Sequence, residues 1–599
     1  MTVFVWRFKV FQTVIRSYSS THNINLKVRF MEKPTAYFRL PDGCETFQVS
    51  FLYKNETLNI ERECNFNRKL SEKIGDFLNR VKVNINKLKS SKRKKKQKGQ
   101  TGLEVDSCES SAGLLQDGFL IDHETICKDA IFFNKAPETL ILNINDVEYS
   151  VSINSPWVNE LSLPSSMLAG FVIYPSKFKV LFTEQKDCSF TWLRKKSKHA
   201  PRSEETGWER VGDGFIYSSK NEDIGYYLKL ICEPSNNNLK GPEASTVSTD
   251  PVEAGPGLCP FESRHPFTST RLSGNEFRVI TYNILSDIYT ETAEALSHLF
   301  HYCPRYALKM DYRKQLLIKE ILGYNADLIF LQEVDEFFFN RDLKYVLGPA
   351  GYEGCFALKG STVKEGVACF YSNDRFKLLH SESIILGEVI QNNHCLNEIW
   401  EVISKKEALK LRVIDRHTTL QILTLESLDK SDELLVVANT HLYFHPDADH
   451  VRLIQAGISI KYITDYIDKL KKETRRNVSL IFCGDFNSVP ECGIYKLMTT
   501  GLVPDDYIDW KSNKEEAVEG LSLNQPWRMA SACGTPQYTN FIQAFSGCLD
   551  YIFYQTDRLA VTQVVPFPTE EELRQHTALP SVVFPSDHIA SIADLRWTS

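Results

Sequence analysis

Several things are missing from this 599-residue sequence, and each absence excludes something. No stretch reaches the roughly 18 consecutive apolar residues of a bilayer-spanning helix. No two cysteines stand as C-x-x-C, so a zinc ribbon or a thioredoxin-type redox pair has no support. The 15 cysteines are odd in number and scattered, which reads as reduced, mostly core thiols. There is no excess of positive charge: 70 Lys and Arg stand against 76 Asp and Glu, for a net charge of -6 and a pI near 6.2. A polyanion is therefore not attracted by the chain as a whole, and any nucleic-acid site has to be local. No internal repeat is present.

One local absence stands out. No acidic residue occurs before Glu32, while Arg7, Lys9 and Arg16 do. Val3, Val5, Phe8, Phe11, Val14 and Ile15 can share one helical face, and Arg16-Ser17-Tyr18-Ser19 resembles a matrix-protease boundary. Residues 1–20 thus read as a mitochondrial transit peptide; the plain alternative is an ordinary N-terminal strand. Eight of the twelve residues 87–98 are Lys or Arg. Such a block repels itself and reads as a disordered insertion over 87–102, with an RNA contact or a nuclear address as alternatives. A matrix location and a cytosolic or nuclear one therefore compete.

The rest is ordinary globular material, 42% hydrophobic and 12% aromatic. Residues 28–160 alternate like hairpins around one helical segment and read as a small α+β domain. Residues 161–235 carry Cys188, Trp192, Trp208 and DIGYYLKLIC ending at Cys232, a pattern similar to an immunoglobulin-like β-sandwich with a tyrosine corner. Residues 236–276 are rich in Pro, Gly, Ser and Asn and read as a linker. From Phe277 to the end, buried-type strands alternate with helices, which predicts a layered α/β domain over 277–599.

Within that last domain, polar residues stand at the ends of apolar strands: Asn283, Glu333, Asn439, His441, Asp485, Asn487, Asp550, Asp587 and His588. A charge after four apolar positions is costly unless it is paired or bound to metal, and a strand end is a rigid place from which to aim it. These residue types suit phosphodiester hydrolysis. Glu333, with Asp485 and Asn487, can hold a divalent cation. Asp485 can orient or deprotonate water. Asn283 and Asn487 can hold phosphate oxygens without adding repulsive charge. His588, oriented by Asp587 or Asp550, makes an Asp–His pair.

The ordered set TYN283…QE333…NTH441…GD485FN487…D550Y…SD587H588 resembles the endonuclease/exonuclease/phosphatase superfamily over all of 277–599. The resemblance implies a two-sheet α/β sandwich, preceded here by β-rich N-terminal domains. It also implies one or two Mg²⁺ near Glu333 (Mn²⁺ being an alternative), in-line attack by water acted on by Asp485, and phosphate contacts from His588 and His441. Tyr302-x-Pro304, Ala307-Leu308 and Tyr312-Arg313 resemble the deadenylase branch, whereas Cys483 and Ser488-Val489 depart from the inositol phosphatases. ANTHLYFHP, CGDFNSVP and SGCLDYIFY are most similar to mitochondrial members that trim 2′,5′-oligoadenylate and poly(A) to 5′-AMP. What this implies is an RNA or oligoadenylate substrate, no membrane and no obligate protein partner. Adenine would need stacking partners, for which Tyr443, Phe444, Tyr538 and Phe541 are candidates, with Asn439 nearby. Two other expectations remain open: a cytosolic-type deadenylase or dinucleotide phosphatase of the same fold, and an RNA-binding module with a dead catalytic fold.

Overall fold

The structure is a computed structural model that describes residues 33–97, 109–133, 137–196, 207–236, 239–360 and 363–598. The transit-like segment 1–20 lies outside the described residues. Contacts divide the chain into two units: residues 1–157 with 181–184 and 235–241, and the remainder.

In the first unit a seven-stranded sheet runs Ile60–Lys69, Thr46–Asn55, Thr35–Arg39, Val147–Ile153, Leu140–Ile144, Ala112–Gln116, Phe119–Leu120. Helix Ile74–Gln97 packs on it through Ile74, Phe77, Leu78, Val81 and Ile85. The Lys-rich stretch, expected as disordered from residue 87, instead continues this helix to Gln97. Lys and Arg are good helix formers, and a helix already nucleated by its buried first turns extends at little cost. Residues 98–108 lie outside the described residues.

The second unit opens with a four-stranded sheet in the order Glu209–Asp213, Cys188–Lys195, Tyr227–Pro234, Ala244–Val247. Trp192 is buried at its centre, its indole donating to the Gly214 carbonyl at 2.8 Å. Cys188 and Cys232 lie on hydrogen-bonded neighbours of one sheet, with Phe190 opposite Cys232, and no disulfide joins them. The immunoglobulin-like expectation, which puts its two cysteines in opposed sheets, does not describe this arrangement.

The expected linker also departs from the sequence reading. Ala244–Val247 is a strand, and Pro260–Thr268 forms a 3-10 helix whose Arg264 is fully sequestered. Arg264 donates to Pro566 O (3.0 Å), Tyr324 Oη (3.1 Å) and Ala590 O (2.8 Å). Pro and Gly composition marks the absence of regular structure, not the absence of packing.

Beyond it, two six-stranded sheets face each other. One runs Tyr352–Leu358, Glu365–Ser372, Leu328–Asp335, Glu276–Asn283, Ser591–Trp597, Leu559–Val564. The other runs Phe376–Ile385, Thr419–Ser427, Glu433–His441, Asn477–Asp485, Asp550–Gln555, Met529–Ser531. The central pairs Glu276–Asn283 with Leu328–Asp335, and Glu433–His441 with Asn477–Asp485, are parallel. Phe277, Val279, Leu328, Phe330, Leu435, Val437, Ile481, Cys483 and Ile552 fill the space between the sheets. The outer faces are covered by helix Met310–Gly323 on one side and Asp449–Glu473 on the other. This is the expected two-sheet α/β sandwich. The β-rich region ahead of it is also present.

Candidate active site

Side chains alternate faces along a strand, so the inner core specifies which residues face inward at the strand ends. Phe277 and Val279 point inward, and so therefore do Thr281 and Asn283. Leu435 and Val437 carry the inward face on to Asn439 and His441. Ile481 and Cys483 carry it to Asp485, and Ile552 pairs in parity with Asp550. All four strands deliver their polar ends to the same edge of the intersheet space.

Glu333 breaks that parity. Counting from Leu328 and Phe330 would turn it outward. A register shift between Leu331 and Val334, with Glu333 at φ 54°, brings its carboxylate back to the site. A bulge is the ordinary means of re-aiming one side chain, and a left-handed non-glycine residue there is strain held by its surroundings. Gly484 is required for a different reason: a Cβ at this position would stand 2.2 Å from the Thr440 carbonyl of the neighbouring strand.

The expected residues converge. Asn283 Nδ2 donates to Glu333 Oε1 and to Asp485 Oδ2, both at 3.0 Å. Ser286 N donates to Glu333 Oε2 (3.0 Å), and Asn487 N to Asp485 Oδ1 (2.9 Å). His441 Nε2 and His588 Nε2 each lie 3.6 Å from Asp485 Oδ2. His588 Nδ1 meets Asp550 Oδ2 at 2.8 Å, and Thr539 Oγ1 donates to the same oxygen at 2.6 Å. Of the two candidates for orienting His588, the structure thus places Asp550 against the ring. Asp587 instead accepts from Asn540 Nδ2 at 3.3 Å. Asn487, at φ 49°, donates its amide to Leu442 O (2.9 Å), leaving its oxygen for a ligand.

Other expected residues are placed differently. Asn439 accepts from Gln332 Nε2 (2.8 Å) and donates to Leu331 O and Ala368 O, so its amide is consumed in tying the two sheets together. Tyr538 and Phe541 are buried with Leu573, Leu579, Phe584 and Ile589. Tyr443 is half-buried beside Arg416, while Phe444 is exposed. Sequence reasoning gave no site role to Thr539 or Glu365, nor to Ser586 and Arg313, although the last two stand within quoted motifs. Buried Arg313 donates to the carbonyls of Ile284 and Leu285 and so shapes the turn after Asn283. Glu365 opens the apolar run GVACFY just as Asp550 opens DYIFY, and that parallel is the signal by which sequence could have found it.

Electrostatics separate the two halves of the site. Burial, then Glu365 and Asp587, push the Glu333 carboxyl up to about 8. Burial and Asp550 push Asp485 up to about 6. Burial alone would lower His588, but Asp550, Asp485 and Asp587 outweigh it and hold the ring protonated well above the usual histidine range. Burial, Lys359 and His588 hold His441 well below that range, hence neutral. Asp485, Asp550 and His588 lie within 4.8 Å of one another, yet an imidazolium cannot ligate a cation. The Glu333–Asp485 side, with a half-buried and a buried carboxylate bridged by one neutral amide and pushed toward protonation, is what a hard divalent cation fits.

The profile of the Endonuclease/Exonuclease/phosphatase family matches residues 280–588, spanning the whole cluster. The chain belongs to that family. The family's enzymes act on phosphate esters and generally depend on a divalent metal, and the acidic and histidine cluster lies within the matched residues. The profile of the 2′,5′-phosphodiesterase 12-like N-terminal domain matches residues 155–253. Rattus norvegicus 2′,5′-phosphodiesterase 12 is 37% identical over 560 residues, covering 89% of this chain and 90% of its own length. Carbon catabolite repressor protein 4 homolog 1 of Arabidopsis thaliana is 30% identical over 435 residues, 64% of this chain and 70% of its own. Among solved structures, ANGEL2, a 2′,3′-cyclic phosphatase, in complex with adenosine-2′,3′-vanadate matches at 21% identity and TM-score 0.45. It covers 55% of this chain and 98% of that one.

The family's metal requirement gives a thermal signature. Glu333 (about 8), Asp485 (about 6), Glu320 (about 7) and Asp327 (about 6) all lie above their ordinary 4.5 or 3.8. A raised carboxyl pKa contributes stability at low pH that is lost as pH rises through the folded value. Metal-free protein should therefore melt at a lower temperature at pH 8 than at pH 5.5. Added divalent cation, which needs the ionised carboxylates, should raise the melting temperature more at pH 8 than at pH 6. Thermal melts with and without EDTA check both; a metal effect independent of pH would contradict the assignment.

Proposed function

We propose that the protein is a Mg²⁺-dependent exoribonuclease that hydrolyses 2′,5′-oligoadenylate and 3′,5′-poly(A) of mitochondrial RNA, releasing 5′-AMP. The observation that carries the reading is the join of Glu333 to Asp485 through Asn283, with protonated His588 and neutral His441 each 3.6 Å from the same Asp485 oxygen. Relatives named as 2′,5′-phosphodiesterase 12 and as a CCR4-Not complex 3′-5′-exoribonuclease subunit support the substrate class.

The chain's own residues divide the work. Asp485 orients water and takes its proton, with Asn283 and Asn487 N fixing the carboxylate. His588, held charged by Asp550, donates to a phosphate oxygen as negative charge grows there. Glu333, Asp485 and the Asn487 oxygen would hold the metal, which when bound supplies positive charge against the phosphate and the leaving 2′- or 3′-oxygen. His441 supplies a neutral imidazole at the same phosphate. Timed digestion of 2′,5′- and 3′,5′-linked oligoadenylates, with Mg²⁺ or EDTA and products resolved by length, tests the reading. Stepwise shortening of both with release of 5′-AMP is expected; internal cuts, or no cleavage, would refute it.

A mitochondrial matrix location rests on the basic, acid-free residues 1–20. A fluorescent fusion to residues 1–32 is expected to enter mitochondria, and a cytosolic or nuclear signal would remove this part of the proposal.

A further inference from the structure

One buried carboxylate at the edge of the site has no role in the chemistry above. Glu365 has a side chain only 1% exposed, and its Oε1 meets no partner. Its Oε2 accepts from Tyr289 Oη at 3.0 Å and faces Lys359 Nζ at 3.6 Å. Lys359 is the first residue past the strand Tyr352–Leu358, and its backbone N donates to Glu365 O at 2.9 Å.

A chain of contacts sets this turn beside the phosphate end of the site. Thr419 Oγ1 donates to Leu358 O at 2.6 Å, and Thr440 Oγ1 donates to Thr419 O at 2.9 Å. Thr440 directly precedes His441, whose Nε2 lies 3.6 Å from Asp485. The charge of Lys359 is felt there: after burial it is the leading influence that keeps His441 neutral.

The Lys359–Glu365 pair is not a closed structural ion pair. Such pairs shorten to about 2.7–2.9 Å, and this one stays at 3.6 Å with a quarter of the lysine side chain exposed and an orphan oxygen on its partner. An ammonium has three donors, so the tether leaves capacity for a second anion. The scissile phosphate already has His588 and His441, while the amides of Asn283 and Asn487 are spent on Glu333, Asp485 and Leu442 O. A polyanionic substrate threaded past them presents its next phosphate beyond that set, in surroundings otherwise dominated by Glu333, Asp335 and Glu365.

We propose that Lys359, tethered by Glu365 and Tyr289, binds the substrate phosphate one nucleotide upstream of the scissile linkage, so that the enzyme favours oligonucleotides with at least two phosphates. This rests on the phosphodiesterase reading above and adds a residue for substrate length.

The test compares the 2′,5′-linked adenylate dimer, whose only phosphate is the scissile one, with the trimer, which has two. In Lys359→Gln the KM for the trimer is expected to rise about tenfold relative to that for the dimer. The salt dependence of log kcat/KM on the trimer should become shallower by about 0.7, the value of one single-strand phosphate contact. Lys359→Arg should recover most of the trimer KM. Glu365→Gln, which loosens the tether, should show a smaller loss of the same trimer-selective kind. Equal losses on dimer and trimer, or no change on either, would overturn the proposal. Fluorescence anisotropy with a labelled trimer in EDTA reads the same contact without hydrolysis, again with about tenfold weaker binding expected for Lys359→Gln relative to the dimer. A wild type that binds in this way but does not cut would instead overturn the phosphodiesterase reading.

Discussion

Replacing Glu333 with Gln should lower turnover at least about 10²–10³-fold, the scale of losing one key electrostatic group. The side chain is nearly isosteric, and Gln Oε1 can still accept from Asn283 Nδ2. What disappears is the negative charge and the bond from Ser286 N, which in the native site meets the second carboxylate oxygen. The bulge that holds residue 333 at φ 54° is set by the flanking pairings Leu331 with Ala368 and Val334 with Gly366, so the backbone should persist. Circular dichroism should accordingly be unchanged, while the rise in melting temperature on adding Mg²⁺ or Mn²⁺ is lost. The pairing of those two measurements is what makes the test specific: a variant that keeps either full activity or the metal-induced stabilisation removes Glu333 from the metal site.

The second large effect is expected at Asp550. Changing it to Asn should cost turnover about 10²-fold or more, within the range for a lost proton-transfer or charge-stabilising group, and should change the shape of the pH profile. In the native site Asp550 is the carboxylate bonded to His588 Nδ1, and Thr539 fixes it by donating to the same oxygen. With Asp550 beside it, His588 stays protonated well above the usual histidine range; without it, only Asp485 and Asp587 oppose the downward pull of burial. A group with a raised folded pKa keeps its proton until pH climbs past that value, so the native enzyme should keep the His588 charge to higher pH than the variant. Asp550→Asn should lose kcat progressively as pH rises and the ring deprotonates. Parallel kcat profiles for the two proteins would show that Asp550 does not act through the His588 charge.

The catalytic core was legible because its signals are local. Apolar runs of strand length ending in Asn283, Glu333, His441, Asp485 and Asp550 report both the element and the place where it stops. The face each residue takes follows from parity, and for all but Glu333 parity alone gives the right answer. Glu333 reaches the site through a bulge, which depends on how Leu328–Asp335 registers against Glu365–Ser372, a long-range pairing with no local signature. The stretch 255–275 misled for a related reason: its composition is that of a loop, and nothing nearby in sequence announces that Arg264 will bond to residues some 300 positions away. The Lys-rich run misled in the opposite direction, because its charge density argued for solvation while its propensity, continuing from an anchored helix, favoured helix.

The sequence by itself determined which polar residues stand at the strand ends that converge on the candidate site, since residue type and two-residue alternation are properties of a short segment. Only the tertiary structure decided how those residues divide. It put Asp550 rather than Asp587 against His588, spent Asn439 on joining the sheets, and brought Glu365 and Lys359 to the rim of a site that no motif connects them to. Those outcomes depend on distances between segments 38 to 108 residues apart, and such distances are set by how two sheets stack, not by any pattern within either one.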